Sequence, residues 1–86
     1  MSEALAERVV TVYSRRGCHL CDDMLAVLQE FSETYHFDVV VRDVDADPAL
    51  YQRYNTLVPV LCVGEQQVCH YFLDWAALRA ALSITQ

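Results

Sequence analysis

VVTVYSRRGCHLCDDM, Val9 to Met24, decides the fold. Its first five residues, Val9 to Tyr13, are apolar or β-branched almost without interruption, the pattern of a short strand covered on both faces. Arg15, Arg16 and Gly17 break that run. From His19 onward Leu20, Met24, Val27, Leu28, Phe31 and Tyr35 recur at steps of three and four, which predicts one apolar stripe along a helix of about four turns. Cys18 and Cys21 therefore fall where a strand turns into a helix.

Moving outward, Phe37 to Val44 is a second β-rich run. Asp47-Pro48 follows, an acid suited to capping a helix and a proline suited to its first position, so a short helix through Tyr54 is expected to end near Asn55. Val58 to Val63 and Gln66 to Phe72 flank Gly64-Glu65 and read as a hairpin. Asp74 then caps a last helix with Trp75, Leu78 and Leu82 on its inner face. The order strand, helix, strand, helix, strand, strand, helix defines an α/β class with one small sheet, its first strand–helix–strand unit parallel and its hairpin antiparallel. One domain is expected over residues 1–86, with a core from about 9 to 82 and frayed ends at the first several residues and from Ser83 to Gln86.

A chain of 86 residues can bury roughly 60% of the surface that its unfolded form exposes. With 55% apolar and 21% charged residues the composition is that of a folded globular domain. The net charge is −6 and all six cations are arginines, which leaves no basic stripe for a phosphate backbone, so nucleic acid is not expected as a partner. Met1 to Arg8 carries Glu3 and Glu7 where a secretory signal needs a basic start and an apolar run, and no stretch approaches the ~20 apolar residues of a membrane span. A cytoplasmic, membrane-free monomer is the expectation. In a reducing compartment closely spaced cysteines point to catalysis or metal binding before a structural disulfide framework.

Disulfide exchange needs a thiolate. Cys18, at a helix N-terminus, sits where unpaired N–H groups and the helix dipole favour negative charge. Arg15 and Arg16 add to that effect and Asp22 and Asp23 oppose it, so a modest depression of its pKa is expected. Cys21 lies one turn further on, able to reach Cys18 and more covered, which assigns it the resolving role. His19 either donates a hydrogen bond to the thiolate or points to solvent. Cys62 and Cys69, on apolar strands, read as small buried hydrophobes, although a disulfide between them is conceivable. The spacing Cys62-x6-Cys69-His70 matches no usual zinc template, and no metal is expected. Pro59 opens a strand, one of the few strand positions that proline tolerates; base rates for X-Pro bonds would make Val58-Pro59 trans.

Val12-Tyr13 leading to Arg15-x-x-Cys18-His19-Leu20-Cys21, then Val58-Pro59, Gly64-Glu65 and a helix opened by Asp74, resembles the glutaredoxin-like branch of the thioredoxin fold over nearly the whole chain. The resemblance implies Cys18 as nucleophile, Cys21 as resolving thiol, Pro59 as a cis proline facing them, and Val58 as the residue whose backbone pairs with an extended substrate. It also implies Arg15 at the glycine carboxylate of glutathione and Asp74 near its γ-glutamyl end. The implied function is a small thiol–disulfide oxidoreductase acting on protein disulfides or glutathione mixed disulfides, with glutathione as co-substrate and no tightly bound cofactor. A non-catalytic adaptor and a metal or iron–sulfur carrier are the alternatives. The sequence departs from the pattern in four places: His19-Leu20 replaces Pro-Tyr between the cysteines, and Leu57 replaces the Thr before Val-Pro. Tyr71-Phe72-Leu73 replaces a Gly-Gly turn, and Gly17 stands where thioredoxins carry Trp.

Overall fold

Val10 and Val12 alternate with Thr11 and Tyr13, so the first strand sends side chains to both faces of the sheet and fixes what packs on each. The computed structural model describes residues 8–83. The elements are β1 (Val9–Ser14), α1 (His19–Tyr35), β2 (Asp38–Asp43), a 3₁₀ turn (Val44–Ala46), α2 (Pro48–Tyr54), β3 (Val60–Val63), β4 (Gln66–His70) and α3 (Trp75–Leu82). The sheet order is β2-β1-β3-β4, with β1 parallel to β2 and antiparallel to β3, and β3 antiparallel to β4. This is a mixed four-stranded sheet with helices on both faces, the thioredoxin-like arrangement.

One face of the sheet carries Val10, Val12 and Leu61 against Met24 and Leu28 of α1, Phe37, and Leu78 and Leu82 of α3. On the other face Val60 and Cys62 pack with Val44 and with Tyr54 of α2, and Tyr13, Leu50, Leu57 and Val58 close the cluster. The apolar stripe read along α1 is thus its contact with the first core.

Asp47 caps α2 by accepting from the N–H groups of Ala49 and Leu50, with Pro48 at the first position; Asp74 caps α3 by accepting from Ala77 N–H. Relative to the sequence reading, β1 runs one residue further, to Ser14, and β2 starts one residue later, at Asp38; three further strand boundaries differ with a visible cause. β2 stops at Asp43, whose carboxylate accepts the Asp45 N–H and turns the chain so that Val44 is buried in the second core. β3 begins at Val60 instead of Val58, after a cis Val58–Pro59 bond. β4 ends at His70 instead of Phe72, because Tyr71 adopts φ 65°, in the left-handed region, and the chain leaves the ladder. The fraying expected of the first residues and of residues 84–86 falls outside the described residues, and Ser83 itself closes α3 with φ 60°.

Candidate functional site

The sheet register brings four segments to one end. Tyr13 pairs with both Arg42 and Val60, and Val60 pairs with His70. The chain therefore leaves β1 toward Cys18, leaves β2 toward Asp45, enters β3 from Pro59 and leaves β4 toward Tyr71, all at the C-terminal end of β1. Loops gathered at the carboxyl end of central strands are where α/β folds place their sites.

Arg16-Gly17 makes the turn out of β1, and Gly17 has φ 76°, a conformation that only a residue without Cβ adopts freely. Cys18 is then the N-cap of α1: its backbone is extended, and its Sγ accepts the Cys21 N–H at 3.1 Å. Cys18 and Cys21 are joined in a disulfide, with Cα atoms 5.2 Å apart. Cys21 is 1% exposed in the first turn of the helix, while Cys18 is only half-buried. Cys18 is the sulfur a partner can approach. The N–H and helix end that cap it are the groups that hold negative charge on a thiolate.

Val58 is half-buried and Pro59 fully buried beside β3. Tyr71 clamps this segment at two points, its N–H donating to the Pro59 carbonyl at 2.9 Å and its hydroxyl to the Thr56 carbonyl at 2.8 Å. Sequence reasoning noticed Tyr71 only as a departure from a glycine turn. Its clamping role depends on a positive φ that carries no sequence signature in a tyrosine. Leu20, Met24 and Val27 of α1 and Tyr71, Phe72 and Leu73 line an apolar groove of about 140 Å³, with Asp23 at its rim. The groove begins at Leu20, one of the two residues between the cysteines. Phe72 stands 68% exposed on its lip.

The other sequence-predicted residues, Arg15, His19 and Asp74, are exposed or engaged elsewhere by their own contacts. Arg15 is held by Asp45, its Nε donating to Oδ2 at 3.1 Å, with its guanidinium 5.1 Å from the Tyr51 ring centre. The Asp45 hydrogen bond raises the Arg15 pKa further above its ordinary value. His19 is exposed as the first residue of α1 and makes no side-chain hydrogen bond among those of the described residues. Asp74 is exposed and commits one carboxylate oxygen, Oδ1, to capping α3 at 3.1 Å. A roomier hollow of about 620 Å³ lies along α2, lined by Asp45, Pro48, Ala49, Tyr51 and Gln52, and holds no thiol.

Cys62 and Cys69 sit on opposite faces of the sheet, Cys62 against Tyr54 and Cys69 against the α1–α3 core, so the native register forbids the disulfide left open by the sequence. Both are free thiols. Burial pushes both pKa values up, so each stays protonated where an ordinary thiol would begin to ionise. No group of three or more His, Cys, Asp or Glu residues is placed to hold a metal among the described residues. No helix of the described residues is long and apolar enough to cross a membrane.

The model of the glutaredoxin-like domain family (DUF836) matches residues 9–83. Among solved structures, protein Ne2328 of Nitrosomonas europaea is 41% identical, with 86% of this chain and 89% of that chain covered and a TM-score of 0.77. A structural-genomics target from X. campestris, XcR50, is 28% identical over 90% of this chain and 99% of its own, with a TM-score of 0.63. Thioredoxin 1 of Thermosipho africanus, 19% identical with a TM-score of 0.56 over 88% of this chain and 89% of its own, shares the fold. No curated protein matches.

Proposed function

Because the chain belongs to the glutaredoxin-like domain family, we propose that it is a dithiol oxidoreductase that reduces disulfides through Cys18 and Cys21. The observation that carries this reading is a half-exposed sulfur at the mouth of α1, capped by an N–H of its own helix and within bonding reach of a buried second sulfur.

In the reduced form the Cys18 thiolate attacks one sulfur of a substrate disulfide. A Cys18–substrate bond forms, the substrate S–S bond breaks, and the departing thiolate takes up a proton. Cys21 then gives up its proton and attacks Cys18 Sγ, releasing the second substrate thiol and leaving the Cys18–Cys21 disulfide. Two electrons and two protons pass to the substrate in the whole cycle. The oxidised pair described above is the end point of that cycle, and an external dithiol or two molecules of thiol return it to the start.

A polypeptide disulfide suits the site better than a glutathione disulfide. Arg15, the residue that the resemblance directs at a glutathione carboxylate, is engaged by Asp45, and Tyr71-Phe72-Leu73 puts bulky side chains where a close backbone approach would be needed. In this reading Val58 offers its backbone to an extended substrate segment beside the disulfide, and the Leu20–Phe72 groove takes an apolar side chain near the substrate cysteine. No tightly bound cofactor is required. Two free thiols elsewhere in the chain suit a reducing compartment, in keeping with a cytoplasmic setting.

Cys18→Ser should abolish reduction of a peptide disulfide, and Cys21→Ser should stall the reaction as a covalent mixed disulfide on Cys18, detected by intact mass. Turnover by Cys18→Ser at the wild-type rate would exclude the reading. Metal analysis of protein purified without oxygen decides the carrier alternative: metal bound in proportion to chain would replace the oxidoreductase.

A further inference from the structure

The sheet ends at β2, and nothing pairs with the outer side of that strand among the described residues. An open edge is a template for another strand unless charge, proline or a bulge guards it. Here the edge reads Asp38-Val39-Val40-Val41-Arg42, without proline or bulge, with Val40 41% and Val41 51% exposed. Neither Asp38 nor Arg42 has a salt-bridge partner among the described residues.

The backbone shows which groups are free. Asp38 donates its N–H inward to the Arg8 carbonyl at 2.9 Å. Successive strand residues turn their N–H and C=O to opposite sides, so Asp38, Val40 and Arg42 bond toward β1, while Val39 and Val41 present theirs to the open edge.

We propose that β2 is a self-recognition edge, which pairs antiparallel with β2 of a second copy about a twofold axis through Val40 and joins two sheets into one of eight strands. The occupant follows from the sequence of the edge. Centred on Val40, the pairing sets Val39 opposite Val41 of the copy on both sides of the axis, and these residues are the ones with free N–H and C=O groups, giving four backbone hydrogen bonds. The same register sets Asp38 opposite Arg42 of the copy at each end. Those are non-hydrogen-bonded pairs, the kind in which facing side chains stand closest. Asp38, Val40 and Arg42 share one face of the strand, so the two ion pairs flank a Val40–Val40 contact, and the other face matches valine to valine. A one-residue shift places inward-bonded residues at the hydrogen-bonded positions, a two-residue shift keeps the backbone bonds but sets Asp38 or Arg42 opposite Val40 and loses both ion pairs, and a four-residue shift opposes like charges. A twofold axis requires one surface complementary to itself, and a strand with an acid and a base equally spaced about its centre meets that requirement. The charges that would guard an edge against unlike strands select a copy of the same strand. A dimer then replaces the monomer expected from sequence, and it is independent of whether the cysteine pair turns over.

Sedimentation of the full oxidised chain over a concentration series tests this. The wild type should rise from one-chain to two-chain mass as concentration increases. Asp38→Arg and Arg42→Asp should each remain at one-chain mass, since each opposes like charges at both ends. An equimolar mixture of the two should recover two-chain mass, because each variant then faces its complement. Hydrogen exchange on the concentrated wild type should slow at the Val39 and Val41 amides and not at other edge positions. The exposed sites keep both variants folded, and circular dichroism checks it. A wild type at one-chain mass throughout, single variants that still dimerise, or a mixture that does not associate would each overturn the proposal.

Discussion

Cys18 caps α1 with the same sulfur that the proposed cycle uses as nucleophile. Cys18→Ser keeps an oxygen able to cap the helix, so its loss of activity would report chemistry and not unfolding. Cys62 and Cys69 give a pH prediction. Burial raises both thiols above the ordinary 9.0, and it raises Tyr54 above 10.0. Groups harder to ionise in the folded state stabilise it fully below their unfolded pKa, and that contribution is lost as pH rises through the folded pKa. Urea-unfolding stability should therefore hold steady up to about pH 9 and fall above it, and Cys62→Val should flatten the decline. The relation between Cys18 and Cys21 was legible because three residues is one helical turn. The partner of Arg15 was not, since Asp45 lies 30 positions away and is aimed by a 3₁₀ turn with no clear signature.

Elements were readable wherever side-chain period and capping residues agreed. Leu20 to Tyr35 marked α1, which Cys18 caps, and Asp47-Pro48 and Asp74 marked the starts of α2 and α3, where each aspartate accepts helix N–H. Strand ends were less readable, because β propensity continues through Val58, Tyr71 and Phe72 while backbone conformation does not. Two substitutions probe these boundaries. His36 closes α1 at φ 61° with its side chain exposed, and His36→Gly should raise stability by about 0.5–1 kcal/mol in urea unfolding, the relief of a left-handed residue less the entropy glycine adds to the unfolded chain. Tyr71→Phe removes an exposed hydroxyl from the Thr56 carbonyl and should cost about 0.5 kcal/mol, with faster hydrogen exchange in residues 56–60.

At the scale of the molecule, one sheet separates two unequal cores, with α1 and α3 on one side and α2 on the other. Leu28 is fully buried in the larger core, and Leu28→Ala should destabilise by about 2–5 kcal/mol while the Cys18–Cys21 pair still cycles. The strand–helix order and the mixed sheet followed from the sequence pattern. The convergence of Cys18, Pro59, Tyr71 and Asp45 on one end did not, since it arises from strand register, which joins residues far apart in sequence.

The most direct measurement is a redox titration of the chain against a glutathione or dithiothreitol buffer, with intact mass as readout. A reversible interconversion of two forms differing by two hydrogens is expected, assigned by peptide mapping to Cys18 and Cys21, with Cys62 and Cys69 unchanged. A pair that never cycles, or electrons that leave from Cys62 or Cys69 instead, would contradict the proposed cycle.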